Sequence, residues 1–437
     1  MSAPVPVPNK DSAALTKALA RLEALHPKKI DLGLPRIERV LKKLGAPQNA
    51  LPPTVHVAGT NGKGSTIAFL RAMAQAQGLK VHVYTSPHLV SFRERIVLAS
   101  EMVSEDDLQS ALSRVEAANG GKPLSFFEAT TAAAFLLFHE HAADLLILET
   151  GLGGLYDATN VIAAPAAVAI TPIDYDHAEF LGRDLAGIAR EKAGIFKANT
   201  PAFSARQSRL VTSVLSAEAA KLRAPLKFKG EHFQCHAEQG RLIYEDDDAL
   251  LDLPLPALRG AHQIENAGLA IAVARSLLID ERAISQGLST ASWPARLQPL
   301  TAGELANIAQ SEDAELWLDG GHNPHAGKAL AEALAGLEAR APRPLVLIMG
   351  ILANKDAPGF LDAFAGLAQT LIAVPIEGHA SLAPESLMDI AKGRGITALR
   401  ADNLMKAVTK AAGLDPHTPP RILICGSLYL AGEALAL

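Results

Sequence analysis

Residues 54–66 read TVHVAGTNGKGST. The first five have the apolar, β-branched character of a strand, the next five are glycine-rich, and an alanine-rich helical stretch begins at about Gly64. A loop between a strand and a helix start suits an anion, because backbone N–H groups and the helix dipole both face it; Lys63 adds a point charge. Gly59, Gly62 and Gly64 permit close backbone approach and unusual φ values. The spacing is not that of the common P-loop, which places four residues between its first glycine and its Gly-Lys pair. Here only Thr60 and Asn61 separate Gly59 from Gly62. A nicotinamide fingerprint is absent too: at GLGGLYD (151–157) Tyr156 stands where the third glycine belongs. The segment predicts a phosphate-binding loop, against the plainer alternative of a structural glycine turn with an exposed lysine.

Outward from this loop, the chain alternates short apolar runs with helical stretches, the pattern of α/β sheets. KVHVYTS (80–86), ADLLILE (143–149) and AAVAIT (166–171) read as further strands, FFEATTAAAFLLFHEH (126–141) as a buried helix. GRLIYEDDD (240–248) reads as a small antiparallel excursion, and HQIENAGLAIAVARSLL (262–278) as another helix. Two prolines in the stretch around SWPARLQP break the pattern near residue 295, where the domain boundary is expected, dividing the chain into 1–295 and 296–437. Beyond it a strand–helix rhythm restarts and predicts a doubly wound, Rossmann-like C-terminal domain. The N-terminal domain is expected to be a P-loop-type ATPase domain with a mostly parallel sheet.

Composition narrows the partners. With 437 residues, 49% hydrophobic and 20% charged, a sizeable core is available. A net charge of −5 offers no electrostatic footprint for nucleic acid or an anionic membrane. The apolar runs are too short to span a bilayer, and the N-terminus lacks the basic and apolar regions of a signal peptide. Two cysteines, far apart, suggest neither a disulfide framework nor a zinc site, so a cytoplasmic setting is expected. Nothing in the composition demands a partner chain, and a monomer is expected.

Polar residues follow several of the strands: Ser86, Glu149 and the DYDH of 174–177. In an open parallel sheet such strand ends share one edge, where ligands bind. A hydroxyl, a carboxylate and the His177 imidazole there suit Mg²⁺ beside a triphosphate, since magnesium prefers oxygen ligands. Taken singly, Ser86 reads equally as a cap, Glu149 as a surface carboxylate and His177 as a loop histidine. Lys192, in REKAGIFK (190–197), reads from its amphipathic surroundings as a solvated lysine. In the second domain DGGHNP (319–324) follows the strand ELWL, with Asn323 placed to cap the next helix.

Together, HVAGTNGKGST (56–66), YTSPHL (84–89), LETGLGG (148–154) with YDATN (156–160), DH…FLG (176–182), EKAGIFK (191–197), WPARL (293–297) and DGGHNPH (319–325) resemble folylpolyglutamate synthases and their bifunctional form, which is also a dihydrofolate synthase. These enzymes are relatives of the Mur ligases. The resemblance runs in order from IDLGLPRI (30–37) to ICGSLYLA (424–431). It implies an ATP-dependent amide ligase in which Thr60, Asn61, Gly62, Lys63, Gly64 and Ser65 wrap the ATP phosphates. It implies one Mg²⁺ at Ser86 and Glu149 and a second among Glu149, His177 and a carbamylated Lys192, which reverses the solvated reading of that lysine. Asn266 matches an adenine-side contact, and Arg296, Asp319 and His322 are implied to meet the nucleotide from the second domain. Lys63, Glu149, His177 and Lys192 are thus the implied catalytic groups. The implied reaction activates the pterin substrate's carboxylate as an acyl phosphate, which the L-glutamate amine then attacks; no protein nucleophile is needed.

IDLGL (30–34) and His88 resemble the bifunctional form. By that resemblance Ile30, Asp31 and Leu32, then Ser125, Phe126, Phe127 and Glu128, then Tyr156, Asp157 and Ala158 line a dihydropteroate pocket. Phe126 and Phe127 suit a flat ring, though on an apolar helix they read equally as core. Two departures stand out: Leu155-Tyr156 where many relatives carry Arg-Leu, and Gly321 where alanine is usual. The alternatives are a folylpolyglutamate synthase that only extends existing folates, a Mur-type ligase for sugar peptides, a regulatory P-loop NTPase and a folate-binding protein without catalysis.

Overall fold

The computed structural model describes residues 9–25, 32–415 and 417–437. It divides into two compact units, one of residues 9–257 and 264–291, the other of 258–263 and 292–437. Both are α/β with mostly parallel sheets, as the alternation of apolar runs and helical stretches predicts.

In the first unit eight strands form one sheet: β1 (Thr54–Ala58), β2 (Val81–Tyr84), β3 (Ile96–Leu98), β4 (Glu101–Met102), β5 (Leu145–Glu149), β6 (Ala167–Ile170), β7 (Ala202–Ser204) and β8 (Leu226–Phe228). Their order is β4-β3-β2-β5-β1-β6-β7-β8. β3 pairs antiparallel with both β2 and β4, and the remaining pairs are parallel. β1, β5 and β6 are buried along their whole length, as strands covered by helices on both faces must be. On one side the helix Phe126–Glu140 packs with Glu105–Asn119 in a cluster that includes Tyr84, Phe135, Leu146 and Leu148. On the other, the helices Leu185–Ala193 and Arg209–Leu222 meet Val168, Ile170, Ile188 and Leu215. Each such side chain contributes about 1.5–3 kcal/mol of hydrophobic stabilisation.

Register aligns the active edge. Val57 pairs with Glu149 across β1 and β5, and Ala58 with Ile170 across β1 and β6. The residues that follow, Gly59, Thr150 and Thr171, therefore emerge side by side at the C-terminal ends of the three central strands. The excursion predicted around GRLIYEDDD is a three-stranded antiparallel sheet of β9 (Phe233–Glu238), β10 (Arg241–Asp246) and β11 (Ala249–Pro254).

The second unit holds β12 (Gln298–Pro299), β13 (Glu315–Leu318), β14 (Leu345–Met349), β15 (Ala368–Ala373), β16 (Thr397–Arg400) and β17 (Arg421–Cys425), ordered β12-β13-β17-β14-β15-β16 and parallel except for β12. Asn323 caps the helix Pro324–Glu338, its side-chain oxygen accepting from Ala326 N at 2.9 Å. Cys235 and Cys425 are buried free thiols. Among the described residues no helix is long and apolar enough to cross a membrane.

Candidate functional site

The glycine loop leaves β1 and enters the helix Lys63–Ala76 at Gly62, whose φ of 91° lies in the left-handed region. A side chain at Gly62 would collide with Asn266, and one at Gly59 (φ 145°) with Thr171. Both glycines are therefore demanded by close approach as well as by backbone geometry. Thr60 stitches the loop to the end of β6: its hydroxyl donates to Asp174 O (2.9 Å) and accepts from Asp174 N (3.0 Å). Gly64 and Ser65 are buried in the first turn. The Lys63 ammonium lies 3.3 Å from both Gly59 O and Thr60 O and 3.7 Å from Glu149 Oε1, reaching back over the loop.

Beside the loop is a small cleft, walled by Gly59, Thr60, Lys63, Asp176, His177 and Lys192 and by residues 150–153. Lys192 is 5% exposed, contrary to the solvated position its helix suggests, and its ammonium donates to Gly59 O at 2.9 Å. Burial, and then the neighbouring Lys63 charge, pull its pKa down from 10.5 to about 7. Glu149, also 5% exposed, is not the surface carboxylate of the plainer reading; it accepts from Ser86 N at 3.2 Å. His177 is exposed, with φ 52°, and its own N–H bonds Asp176 Oδ1 at 2.8 Å. Asp176 was no part of the expected site, although DYDH contains it.

Among the described residues no three His, Cys, Asp or Glu side chains cluster closely enough to form a closed metal cage. Mg²⁺ is commonly held by one or two carboxylates together with substrate phosphates and water. Glu149 and Asp176 supply hard oxygen donors of that kind around the phosphate loop. When bound there, the cation would neutralise phosphate charge.

What buries Lys192 is a backbone-on-backbone contact between two motifs. A Cβ on Gly154 would lie 2.6 Å from Glu191 O and 3.0 Å from Lys192 O, and one on Gly194 would strike Leu155. Leu155 N donates to Glu191 O at 2.8 Å. Asn160 bolts the pair together, its amide donating to Leu155 O and Gly194 O at 3.0 Å each, while its oxygen accepts from Lys197 Nζ at 2.9 Å. GLGG, DATN and EKAG are thus one structural unit.

The residues implied for the pterin side fall into two groups. Ile30 and Asp31 lie outside the described residues. Gly33 N donates to Tyr156 O at 3.2 Å, which places Leu32 close to the half-exposed Tyr156. Phe127 packs beneath Gly151, and Phe126 meets Phe92 edge-on at 5.8 Å. His88 accepts from Arg95 Nε at 3.0 Å. Ser125 and Glu128 form a capping box at the start of the helix Phe126–Glu140, and Glu128 also pairs with Arg36 at 3.0 Å. Ala158 is buried, and Asp157, 1% exposed, turns its carboxylate inward to Leu152 N, Thr159 N and the Thr159 hydroxyl.

In the second unit Asp319, 4% exposed, ties Leu297 N and Gly321 N with its two oxygens, at 2.7 Å each. Arg296 and His322 lie alongside, bonded to Ala295 O (2.8 Å) and Gly320 O (2.9 Å). His262 belongs to the same unit; desolvation lowers its pKa while Asp319 opposes that, and its buried Nδ1 has no partner among the described residues. HQIEN gave no sign of this, because the histidine reads there as one turn of a long helix.

Residues 57–274 match the family model of the Mur ligase middle domain, and 305–428 that of the Mur ligase, glutamate ligase domain. With the nucleotide-type loop and the acidic edge beside it, these matches define an ATP-dependent acid–amino-acid ligase of the Mur type. The dihydrofolate synthase/folylpolyglutamate synthase of Escherichia coli K12 is 33% identical over 430 residues, covering 97% of this chain and 95% of that one. E. coli FolC solved with DHPP and ADP superposes with a TM-score of 0.84 at 32% identity, covering 98% of each chain. The bifunctional enzyme of Yersinia pestis CO92, solved with AMPPNP and a manganese ion, gives 0.84 at 32% identity and 99% of each chain. The chain belongs to the dihydrofolate synthase/folylpolyglutamate synthase family.

Proposed function

We propose that this protein joins L-glutamate to dihydropteroate, giving dihydrofolate, and to folates, extending a polyglutamate tail. The observation that carries the reading is the meeting of Lys63 and Lys192 on one cleft at the mouth of the glycine loop, with the Glu149 carboxylate 3.7 Å from the Lys63 ammonium. The substrate classes come from the full-length similarity to bifunctional enzymes and from the DHPP, ADP and L-glutamate named for their structures.

In this reading Thr60 to Ser65 hold the ATP phosphates, with the loop's N–H groups and Lys63 placed against the charge that grows on the transferred group. Ser86 and Glu149 hold one divalent ion, and Glu149, His177 and carbamylated Lys192 a second. Asn266, packed on Gly62, is assigned to the adenine side, and Arg296, Asp319 and His322 to the nucleotide as well. The pterin carboxylate attacks the γ-phosphate to give an acyl phosphate and ADP; the glutamate amine then attacks the acyl carbon and expels phosphate. Excluding water from the cleft protects the acyl phosphate from hydrolysis. Leu32, His88, Phe126, Phe127 and Tyr156 are assigned to the pterin pocket. Ile30 and Asp31 join them on resemblance alone. Ser125, Glu128, Asp157 and Ala158 serve it by shaping its walls.

The test is ADP release with ATP, Mg²⁺ and L-glutamate, with dihydropteroate and tetrahydrofolate supplied in separate reactions and products weighed by mass spectrometry. Amide product with both acceptors is the expected result. Turnover with tetrahydrofolate alone would reduce the protein to a folylpolyglutamate synthase. ADP release indifferent to either acceptor would make it an NTPase.

A further inference from the structure

Beneath the cleft lies a buried polar chain that the reaction scheme does not use. His56 sits in the middle of β1, fully buried, three residues before Gly59. Its Nε2 is 2.9 Å from the Thr159 hydroxyl, which is 2.5 Å from Asp157 Oδ1, and the other Asp157 oxygen accepts from Leu152 N at 2.8 Å. The directions of these bonds follow from the groups. Burial raises the Asp157 pKa, but Leu152 N and Thr159 N each donate to one of its oxygens and favour the ionised form. An ionised carboxylate only accepts, so the Thr159 hydroxyl donates to Asp157 and its oxygen is left to accept from His56. That requires the proton on Nε2 and leaves Nδ1 bare, and Nδ1 is the ring atom with no partner among the described residues.

The chain begins on the strand that carries the glycine loop and ends on Leu152, which lines the same cleft as that loop. We infer that His56, Thr159 and Asp157 form a positioning relay that fixes the 150–154 loop against the phosphate loop. None of the three is a catalytic residue: they act through the backbone of Leu152. The inference rests on the ligase reading of the cleft, but assigns Asp157 to the loop's support rather than to the pterin. A leucine at position 56 would fill similar volume without an orphan ring nitrogen, so stability alone does not call for histidine. A loop displaced by even an ångström misplaces the groups that line it, and such errors reach ~10²-fold in rate.

The experiment compares wild-type protein with His56→Leu and His56→Gln for Tm, kcat and KM for ATP. His56→Leu is expected to keep its Tm while kcat falls about tenfold or more, with a smaller change in KM. His56→Gln, whose amide N–H can still donate to Thr159, is expected to recover most of the rate. Wild-type kcat in His56→Leu overturns the relay, and so does a loss in both variants that follows a fall in Tm or that glutamine does not relieve. Should His56→Leu fail to fold, Thr159→Val against Thr159→Ser poses the same question, with serine restoring the hydroxyl; equal rates in these two overturn it. Wild-type protein inert with both acceptors would instead remove the ligase reading, so the two failures are distinguishable.

Discussion

Lys192 donates its ammonium hydrogen to the carbonyl of Gly59, 2.9 Å away, so the unmodified lysine is held by the phosphate loop itself. Burial first, and the Lys63 charge second, bring its pKa to about 7. A neutral amine is the form that adds CO₂, and near neutral pH a large fraction of this one is neutral. With ¹³CO₂ held at a fixed dissolved concentration, a carbamate ¹³C resonance is expected to grow as pH rises through about 7. Its absence from the wild type, or its persistence in Lys192→Met, would remove the modification from this site.

The same depressed pKa makes a statement about stability. Between pH 7 and 10 the unfolded chain keeps this amine protonated while the folded chain has released the proton. The unfolded state then binds more protons, so stability rises with pH across that window. The penalty of a buried ammonium is complete below about pH 7 and fades toward pH 10. In CO₂-free buffer, urea titrations should find Lys192→Met more stable than wild type by roughly 2–5 kcal/mol at pH 6, with the gap closing by pH 10. A gap of equal size at both pH values would mean that the amine is not titrating as described.

Lys63 tests the loop. Its ammonium touches only two loop carbonyls at 3.3 Å and Glu149 at 3.7 Å among the contacts described, so Lys63→Ala should leave Tm close to wild type. Loss of the charge facing the transferred phosphoryl should lower kcat about 10²–10³-fold. Because Lys63 also depresses Lys192, the carbamate titration should move to higher pH in this variant. Unchanged kcat would take Lys63 out of the chemistry.

The tight course of the glycine loop was legible because glycines needed for close approach leave a mark in the sequence: a side chain at Gly59 or Gly62 would strike Thr171 or Asn266. The strand–helix order was legible for a similar reason, since buried parallel strands are continuous apolar runs. The environment of Lys192 was not. Local periodicity makes its helix amphipathic, and only a contact with Gly154, almost forty residues earlier, places the lysine inside; the family resemblance supplied what the pattern lacked. Asp157 and Glu128 show the converse. Both belong to stretches implied to line the pterin pocket, yet their carboxylates are engaged by neighbouring backbone, a capping box at Glu128 and a 3-10 turn cap at Asp157. The Ser125–Glu128 spacing carries that capping signal in the sequence itself. His262 and Asp176 gave no local sign of the groups they sit among.

Gly154 turns that long-range contact into a measurable one. Its φ is unexceptional, so the demand is purely steric: a methyl group would press on Glu191 O and Lys192 O, both backbone atoms unable to swing aside. Overpacking of this kind costs about 1–3 kcal/mol. Gly154→Ala should therefore lower Tm and, because it pushes the Lys192 helix off the loop, lower kcat by more than the stability loss explains. The check is activity at a temperature where both proteins are fully folded. Full activity under those conditions would show that the spacing of GLGG and EKAG is not set by this contact.

Glu149 tests the proposed site of the divalent ion. Ser86 N supports one of its oxygens at 3.2 Å, Lys63 approaches the other at 3.7 Å, and the carboxylate sits at the mouth of β5 beside the phosphate loop. Glutamine there keeps the volume and removes the charge that an oxygen-seeking cation requires. Chelation of metal should abolish ADP release in the wild type, and Mg²⁺ or Mn²⁺ should restore it. In Glu149→Gln the Mg²⁺ concentration for half-maximal rate should rise at least tenfold, taking a ligand to cost no less than the ~10–100-fold of an outer-shell partner. Ser86→Ala, which retains the backbone N–H that Glu149 accepts, should raise it less. A Glu149→Gln protein with wild-type Mg²⁺ dependence would place the ion elsewhere, with Asp176 the next carboxylate along the cleft to test.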